Sequence, residues 1–119
     1  MAKIAIIDDA IVVHVMFEHI LTKAGHEVVA KIDDATTAAA CVEETRPDIV
    51  LLDLNMQGVN GMDTLQEIKT INQQIKVIVC TAKRTPEIQQ RVLQLGADGY
   101  IVKPVIRADL LEAIDRCHL

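Results

Sequence analysis

Short runs rich in isoleucine and valine alternate with longer amphipathic stretches from one end of the chain to the other, the pattern of repeated βα units. Five runs are predicted strands: Lys3–Asp8, Glu27–Ile32, Ile49–Asp53, Lys76–Thr81 and Gly99–Val102. Three of them carry uninterrupted apolar segments, IAII, IVLL and VIVC, as central strands covered on both faces require. The intervening segments predict helices. Val12–Ala24 is closed by Gly25, and Asp34–Glu44 has Asp34 as N-cap and Pro47 beyond its end. Met62–Ile71 places Met62, Leu65, Ile68 and Ile71 on one face. Pro86–Leu95 has Thr85 as N-cap and Gly96 after it, and Asp109–Cys117 is amphipathic through Leu110, Leu111 and Ile114. Strict alternation with right-handed crossovers predicts a doubly wound α/β domain, with five parallel strands and five helices, taking in residues 1–119.

Composition narrows the function. At 119 residues and 50% hydrophobic side chains, the chain has enough apolar material for one core. Phe17 and Tyr100 are its two aromatics, so aliphatic side chains must build that core. A net charge of -5 argues against a surface that works by holding nucleic acid or anionic lipid. Cys41, Cys80 and Cys117 are odd in number and far apart, which fits neither a disulfide framework nor a zinc site. Aspartates at positions 8 and 9 come too early to leave room for a signal peptide, and no apolar run approaches the ~18 residues of a membrane span. A soluble chain in a reducing cytoplasm is the expectation.

In a doubly wound fold, function collects at the carboxyl ends of the strands. The predicted strands end in Asp8 and Asp9, in Asp53 and in Thr81, and the fifth leads into Lys103. Converging carboxylates raise each other's pKa unless a cation is present. Oxygen donors without His or Cys suit a hard ion such as Mg²⁺, and Lys103 adds a second positive charge. A nucleophilic carboxylate beside a metal and a lysine suits a phosphoryl group, whose oxygens those cations neutralise. Asp53, alone at the end of a central strand, is the candidate nucleophile. Asp8 and Asp9 are candidate metal ligands, and Thr81 a candidate donor to a phosphoryl oxygen.

Singly, these residues have ordinary explanations. Asp8 and Asp9 could cap the first helix, Lys103 could be a surface lysine, Thr81 could satisfy a loop amide, and Tyr100 could pack at a sheet edge. His14, His19, His26 and His118 are scattered and read as solvated. Cys80 reads as a small buried hydrophobe, Met56 as a loop packing residue, and Gly58 and Gly61 as backbone turns. The convergence of Asp8, Asp9, Asp53 and Lys103 is what favours a site.

IIDD at 6–9, LLDLNM at 51–56, CTA at 80–82 and YIVKP at 100–104 resemble, in order and over the whole chain, a response regulator receiver domain. The stand-alone chemotaxis-type (CheY-like) members are the most similar. The resemblance implies a flavodoxin-like strand order of 2-1-3-4-5 and a phosphorylation-dependent switch rather than a turnover enzyme. Asp53 would take the phosphoryl group from a phosphohistidine on a sensor histidine kinase or phosphotransfer protein. Mg²⁺ would sit on Asp9, Asp53 and the backbone carbonyl of Asn55, with Asp8 acting through water. Thr81 and Lys103 would bind phosphoryl oxygens, and Tyr100 would swing inward with Thr81 to reshape helix four, strand five and helix five for a downstream target protein or a phosphorylation-dependent homodimer. The Lys103–Pro104 bond would be cis. Three positions depart from the usual pattern: Gln57 replaces a common proline, His14 a frequent arginine, and Lys83 stands near the entry of attacking water, where it would alter the lifetime of the acyl phosphate.

Other functions fit less well. An aspartate-dependent phosphatase of the haloacid dehalogenase type wants an acid two residues after its nucleophile, and here that residue is Asn55. A flavin or nucleotide module wants a glycine- or hydroxyl-rich loop after the first strand, where this chain has DDAIVVH. A receiver that serves only as a docking surface would not need the complete set of site residues.

Overall fold

In the computed structural model, which describes residues 1–58, 60–82 and 85–117, the five strands pair in parallel in the order β2-β1-β3-β4-β5. The elements are β1 (Lys3–Ile7), α1 (Ile11–Lys23), β2 (Glu27–Ile32), a 3₁₀ turn (Ala35–Thr37), α2 (Ala38–Thr45), β3 (Ile49–Leu52), α3 (Gly61–Ile71), β4 (Lys76–Thr81), α4 (Pro86–Gln94), β5 (Gly99–Val102) and α5 (Arg107–Cys117).

The period of two along each strand divides the core into halves. Ile4, Ile6, Ile49, Leu51, Ile78 and Cys80 face α1 and α5, where Phe17, Leu21, Leu110 and Ile114 cover them. Ala5, Ile7, Val50, Leu52, Val77 and Val79 face the other way, against Val42 of α2, Leu65 and Ile68 of α3 and Val92 of α4. Burial on both faces is why IAII, IVLL and VIVC lack polar residues.

Element boundaries move by one to four residues from the sequence expectation, for local reasons. β1 and β3 stop at Ile7 and Leu52, which leaves Asp8 and Asp53 just past the strand ends with their amides still bonded to Ile32 and Ile7. Asp34 does act as an N-cap, accepting from the Thr36 amide, but the first turn it starts is 3₁₀ and α2 proper begins at Ala38. α1 and α3 begin one residue early, α5 begins two early, and α4 ends one early. The chain leaves α1 through Gly25 at φ +91°, which supplies the left-handed turn expected there.

Gly61 has a stricter role than a simple turn. A Cβ at this position would lie 2.5 Å from the Cα of Leu54 and 2.8 Å from its carbonyl oxygen. The first residue of α3 therefore packs backbone on backbone against the loop that follows β3, which carries Asp53 and Asn55.

Candidate phosphoryl and metal site

Pairing register brings the site together. Ile7 pairs with Leu52, so the next residues, Asp8 and Asp53, emerge side by side at the point where the strand order reverses. Two backbone bonds lock them there: the Asp53 amide donates to Ile7 O at 2.9 Å, and the Asp8 amide to Ile32 O at 3.0 Å. On the other side, Thr81 pairs with Val102, and the Lys103 amide donates to Thr81 O at 2.8 Å. Lys103 thus starts from β5 with its side chain within reach of the acidic residues. Its bond to Pro104 is cis, as the resemblance implied.

One carboxylate oxygen from each of Asp8, Asp9 and Asp53 lies within 4.8 Å of the other two. Asp8 and Asp53 are buried, and Asp9 is exposed on the solvent side. Lys103 Nζ is 2.7 Å from Asp8 Oδ2 and 3.6 Å from Asp53 Oδ2, so its tighter bond goes to Asp8. Asp8 Oδ1 accepts from the Ala10 amide at 2.9 Å, and Asp53 Oδ1 from the Asn55 amide at 3.0 Å. Among the described residues one ammonium faces three carboxylates, and the three hard oxygen donors fit a small divalent cation better than a soft one.

The imbalance appears in the titration of the groups. Burial pushes the Asp53 carboxyl above its ordinary value; the Asn55 amide and then Lys103 pull it back, while Asp8 and Asp9 push it up further. Burial works against the charge on Lys103, but the hydrogen bond to Asp8 and the fields of Asp53 and Asp8 outweigh it, and its pKa is raised. Burial lifts the Cys80 thiol to about 12, so that neighbour is a packing group and no thiolate nucleophile.

Thr81 is fully buried, and its Oγ1 accepts a hydrogen bond from Asn55 Nδ2 at 3.0 Å, a link absent from the sequence reading. Tyr100 is half-buried against the α2–α4 side of the sheet, and burial raises its hydroxyl pKa. Gln57, standing where proline is common, uses the amide a proline would lack: it donates to Asp9 Oδ2 in a long 3.4 Å bond. A groove of about 640 Å³ lies at the opposite edge of the sheet, lined by Arg46, Asp48, Asn72, Lys76 and Cys117 among others, far from this convergence of charge.

Two histidines correct the expectation of solvated rings. His14 is buried and its Nε2 lies 2.6 Å from the carbonyl oxygen of Asp8. His26 is half-buried, with Nδ1 accepting from the Ala2 amide at 3.0 Å. The spacing of His14, Phe17 and Leu21, three and then four residues apart, was the signal for the first: it puts all three on the sheet-facing side of α1. Met56, expected to pack in its loop, is buried in the main core. Lys83 and His118 lie outside the described residues.

Comparison with known proteins agrees with this geometry. The profile of the response regulator receiver domain matches residues 4–115. The chemotaxis protein CheY of Bacillus subtilis is 37% identical over 114 residues, covering 96% of this chain and 95% of that protein. Sporulation initiation phosphotransferase F of the same organism is 29% identical over 96% of this chain and 91% of its own length. Among solved structures, the CheX-CheY-BeF3-Mg+2 complex from Borrelia burgdorferi contains a chain that superposes with a TM-score of 0.94 at 25% identity, covering 98% of this chain and 89% of that one.

Proposed function

The chain belongs to the response regulator receiver family, signalling proteins that switch on phosphorylation rather than turnover enzymes, and on that premise we propose that Asp53 is its phosphoryl acceptor. The carrying observation is Lys103 Nζ lying between Asp8 and Asp53 inside a cluster of three carboxylates.

A carboxylate oxygen of Asp53 attacks phosphorus in line; the P–N bond of a partner's phosphohistidine breaks, and the freed imidazole nitrogen takes up a proton. Receiver domains take Mg²⁺ at such an acidic pocket; in this chain Asp9, Asp53 and the Asn55 carbonyl would hold it, with Asp8 acting through water, and the ion would supply positive charge against the phosphoryl oxygens. Lys103 supplies the second positive charge, and Thr81 donates to a third oxygen. Water attacking phosphorus breaks its bond to the Asp53 oxygen, releases inorganic phosphate and regenerates the carboxylate, so the product of phosphorylation is a surface altered for the lifetime of the acyl phosphate. Thr81 and Tyr100 carry the change to α4, β5 and α5, which present it to a downstream protein or a second copy. Residues 1–119 act as one receiver unit in the cytoplasm; no helix among the described residues is long and apolar enough to cross a membrane.

The family's partners are histidine kinases and phosphotransfer proteins, and α1 offers such a donor an apolar approach. Ile11, Val12 and Val15, in the two turns that follow the Asp8–Asp9 pair, are 75%, 72% and 63% exposed.

Intact mass after treatment with acetyl phosphate and Mg²⁺ tests the assignment. The native chain gains one phosphoryl group, about 80 Da by its composition, as the chemistry of an acyl phosphate requires. Asp53→Asn does not. An adduct that persists in Asp53→Asn, or never forms in the native chain, refutes Asp53 as acceptor.

A further inference from the structure

The phosphoryl chemistry above leaves one buried polar ring unused. His14 is 7% exposed on the sheet side of α1. Its Nε2 meets the Asp8 carbonyl oxygen at 2.6 Å, and because a carbonyl can only accept, Nε2 carries the proton and donates. Nδ1 is buried without a hydrogen-bond partner among the described residues. An apolar side chain of similar size would fill the space without leaving a polar atom unsatisfied, so packing alone does not account for a histidine here. What the imidazole adds is its bond to Asp8.

The carbonyl it holds belongs to the planar peptide between Asp8 and Asp9. Asp8 is fixed at its other groups as well: its amide donates to Ile32, Oδ1 accepts from Ala10 and Oδ2 from Lys103. The bond from His14 is made to the following peptide, from which Asp9 leaves the backbone; the Asp9 carboxylate also accepts the long bond from the Gln57 amide. Ala10, at the N-cap of α1, contributes no side-chain cap to steady this turn.

We propose that His14 is a positioning residue for the metal site: by donating from α1 to the Asp8 carbonyl it orients the Asp8–Asp9 peptide so that both carboxylates converge with Asp53. The inference rests on the metal-assisted phosphoryl reading above and deepens it. His14 touches neither the cation nor the phosphoryl group. It acts as outer-shell partners of metal ligands do, whose removal typically weakens metal binding by about 10–100-fold.

Mg²⁺ titration of the full chain, followed by the backbone amide NMR signals of Asp9 and Ala10, is the test, with urea unfolding of each variant in the absence of Mg²⁺. His14→Leu keeps the packing, removes the unsatisfied nitrogen and removes the bond. It is expected to be at least as stable as the native chain yet to bind Mg²⁺ about tenfold more weakly. His14→Gln, whose side-chain amide can donate to the same carbonyl, recovers most of the affinity. A structural role gives the opposite split. Failure of His14→Leu to fold, or a folded His14→Leu with native Mg²⁺ affinity, overturns the proposal while leaving the function of Asp53 intact. No binding of Mg²⁺ by the native chain refutes the metal-assisted reading itself, and the positioning role with it.

Discussion

Replacing Asp53 by asparagine should stabilise the metal-free protein, although it removes a buried side chain's bond to Lys103. Coulomb's law with an effective dielectric constant of about 20 puts the repulsion between Asp53 and Asp8, whose nearest ligand oxygens lie within 4.8 Å, at roughly 3.5 kcal/mol or more. The same treatment puts the attraction of Lys103, at 3.6 Å, at roughly 4–5 kcal/mol. These two nearly cancel. Among the described residues, burial of the Asp53 charge and the field of Asp9 are then offset only by the Asn55 amide, and the pKa of Asp53 is raised accordingly. Asp53→Asn removes that uncompensated charge, so it should gain stability at neutral pH. For a domain of this size each kcal/mol gained raises Tm by about 3–6 °C.

The sign with pH follows from linkage. In the unfolded chain Asp53 loses its proton at an ordinary carboxylate pKa, and in the folded chain at a higher one, so the native protein holds more protons between the two. The stability Asp53 contributes is fully present below the unfolded value and is lost as pH rises through the folded value. The advantage of Asp53→Asn should therefore be small in acid and reach its full size at neutral pH. Mg²⁺ reverses the comparison: at a hundredfold excess over Kd it stabilises the native chain by about 2.7 kcal/mol, and Asp53→Asn should show only a small part of this. Differential scanning fluorimetry with EDTA and with Mg²⁺, across pH, reads every term. A lower metal-free Tm for Asp53→Asn, or a Mg²⁺ response equal to native, would refute the charge argument.

Other perturbations follow from the same geometry. Lys103→Ala leaves Asp8, 2% exposed, with its Oδ2 partner removed; urea unfolding should show a loss of about 2 kcal/mol, discounted because Lys103 is partly exposed, and acetyl phosphate labelling should slow by about 100-fold. Gly61→Ala forces a methyl group into the backbone of Leu54, and urea unfolding should show a loss of about 2–3 kcal/mol, with a weakened Mg²⁺ response because the displaced loop carries Asn55. Ile11→Lys combined with Val15→Lys should slow phosphotransfer from a phosphohistidine donor about tenfold while leaving labelling by acetyl phosphate unchanged, since the small donor needs no docking surface.

The sheet was legible because every strand had one job. Ile4, Ile6, Ile49 and Leu51 had to satisfy one apolar face, and Ala5, Ile7, Val50 and Leu52 the other, so composition alone marked them. The site was legible where charge interrupted that rule, at Asp8, Asp53 and Lys103, residues whose cost at a strand end demanded a reason. The 3₁₀ start before α2 was not legible, because Asp34 caps either kind of first turn by the same bond to Thr36. The Asn55–Thr81 bond was not legible either, since it joins residues 26 apart through a sheet register that no local pattern encodes. Gly61 looked like any turn glycine; its need for a bare Cα arises from where Leu54 lies in space.

The same features explain why such a site can act as a switch. The apolar strands hold Asp8 and Asp53 together whether or not the charges are balanced, because the register is set by both core faces and by the amide bonds to Ile7 and Ile32. The backbones that carry the carboxylates are therefore held side by side, and added cations or a change in the charge and bonding of Asp53 relieve the repulsion. Thr81 and Lys103 are joined by a backbone bond across β4 and β5, and Asn55 is joined to Thr81 through its side chain. On the proposed assignment, a phosphoryl group on Asp53 that binds Lys103 and Thr81 together would adjust those bonds first, at the ends of β4 and β5. α4, through Val92 on Val77 and Val79, and α5, through Leu110 and Ile114 on Ile78, Cys80 and Ile101, are the helices packed where the proposed change would arrive.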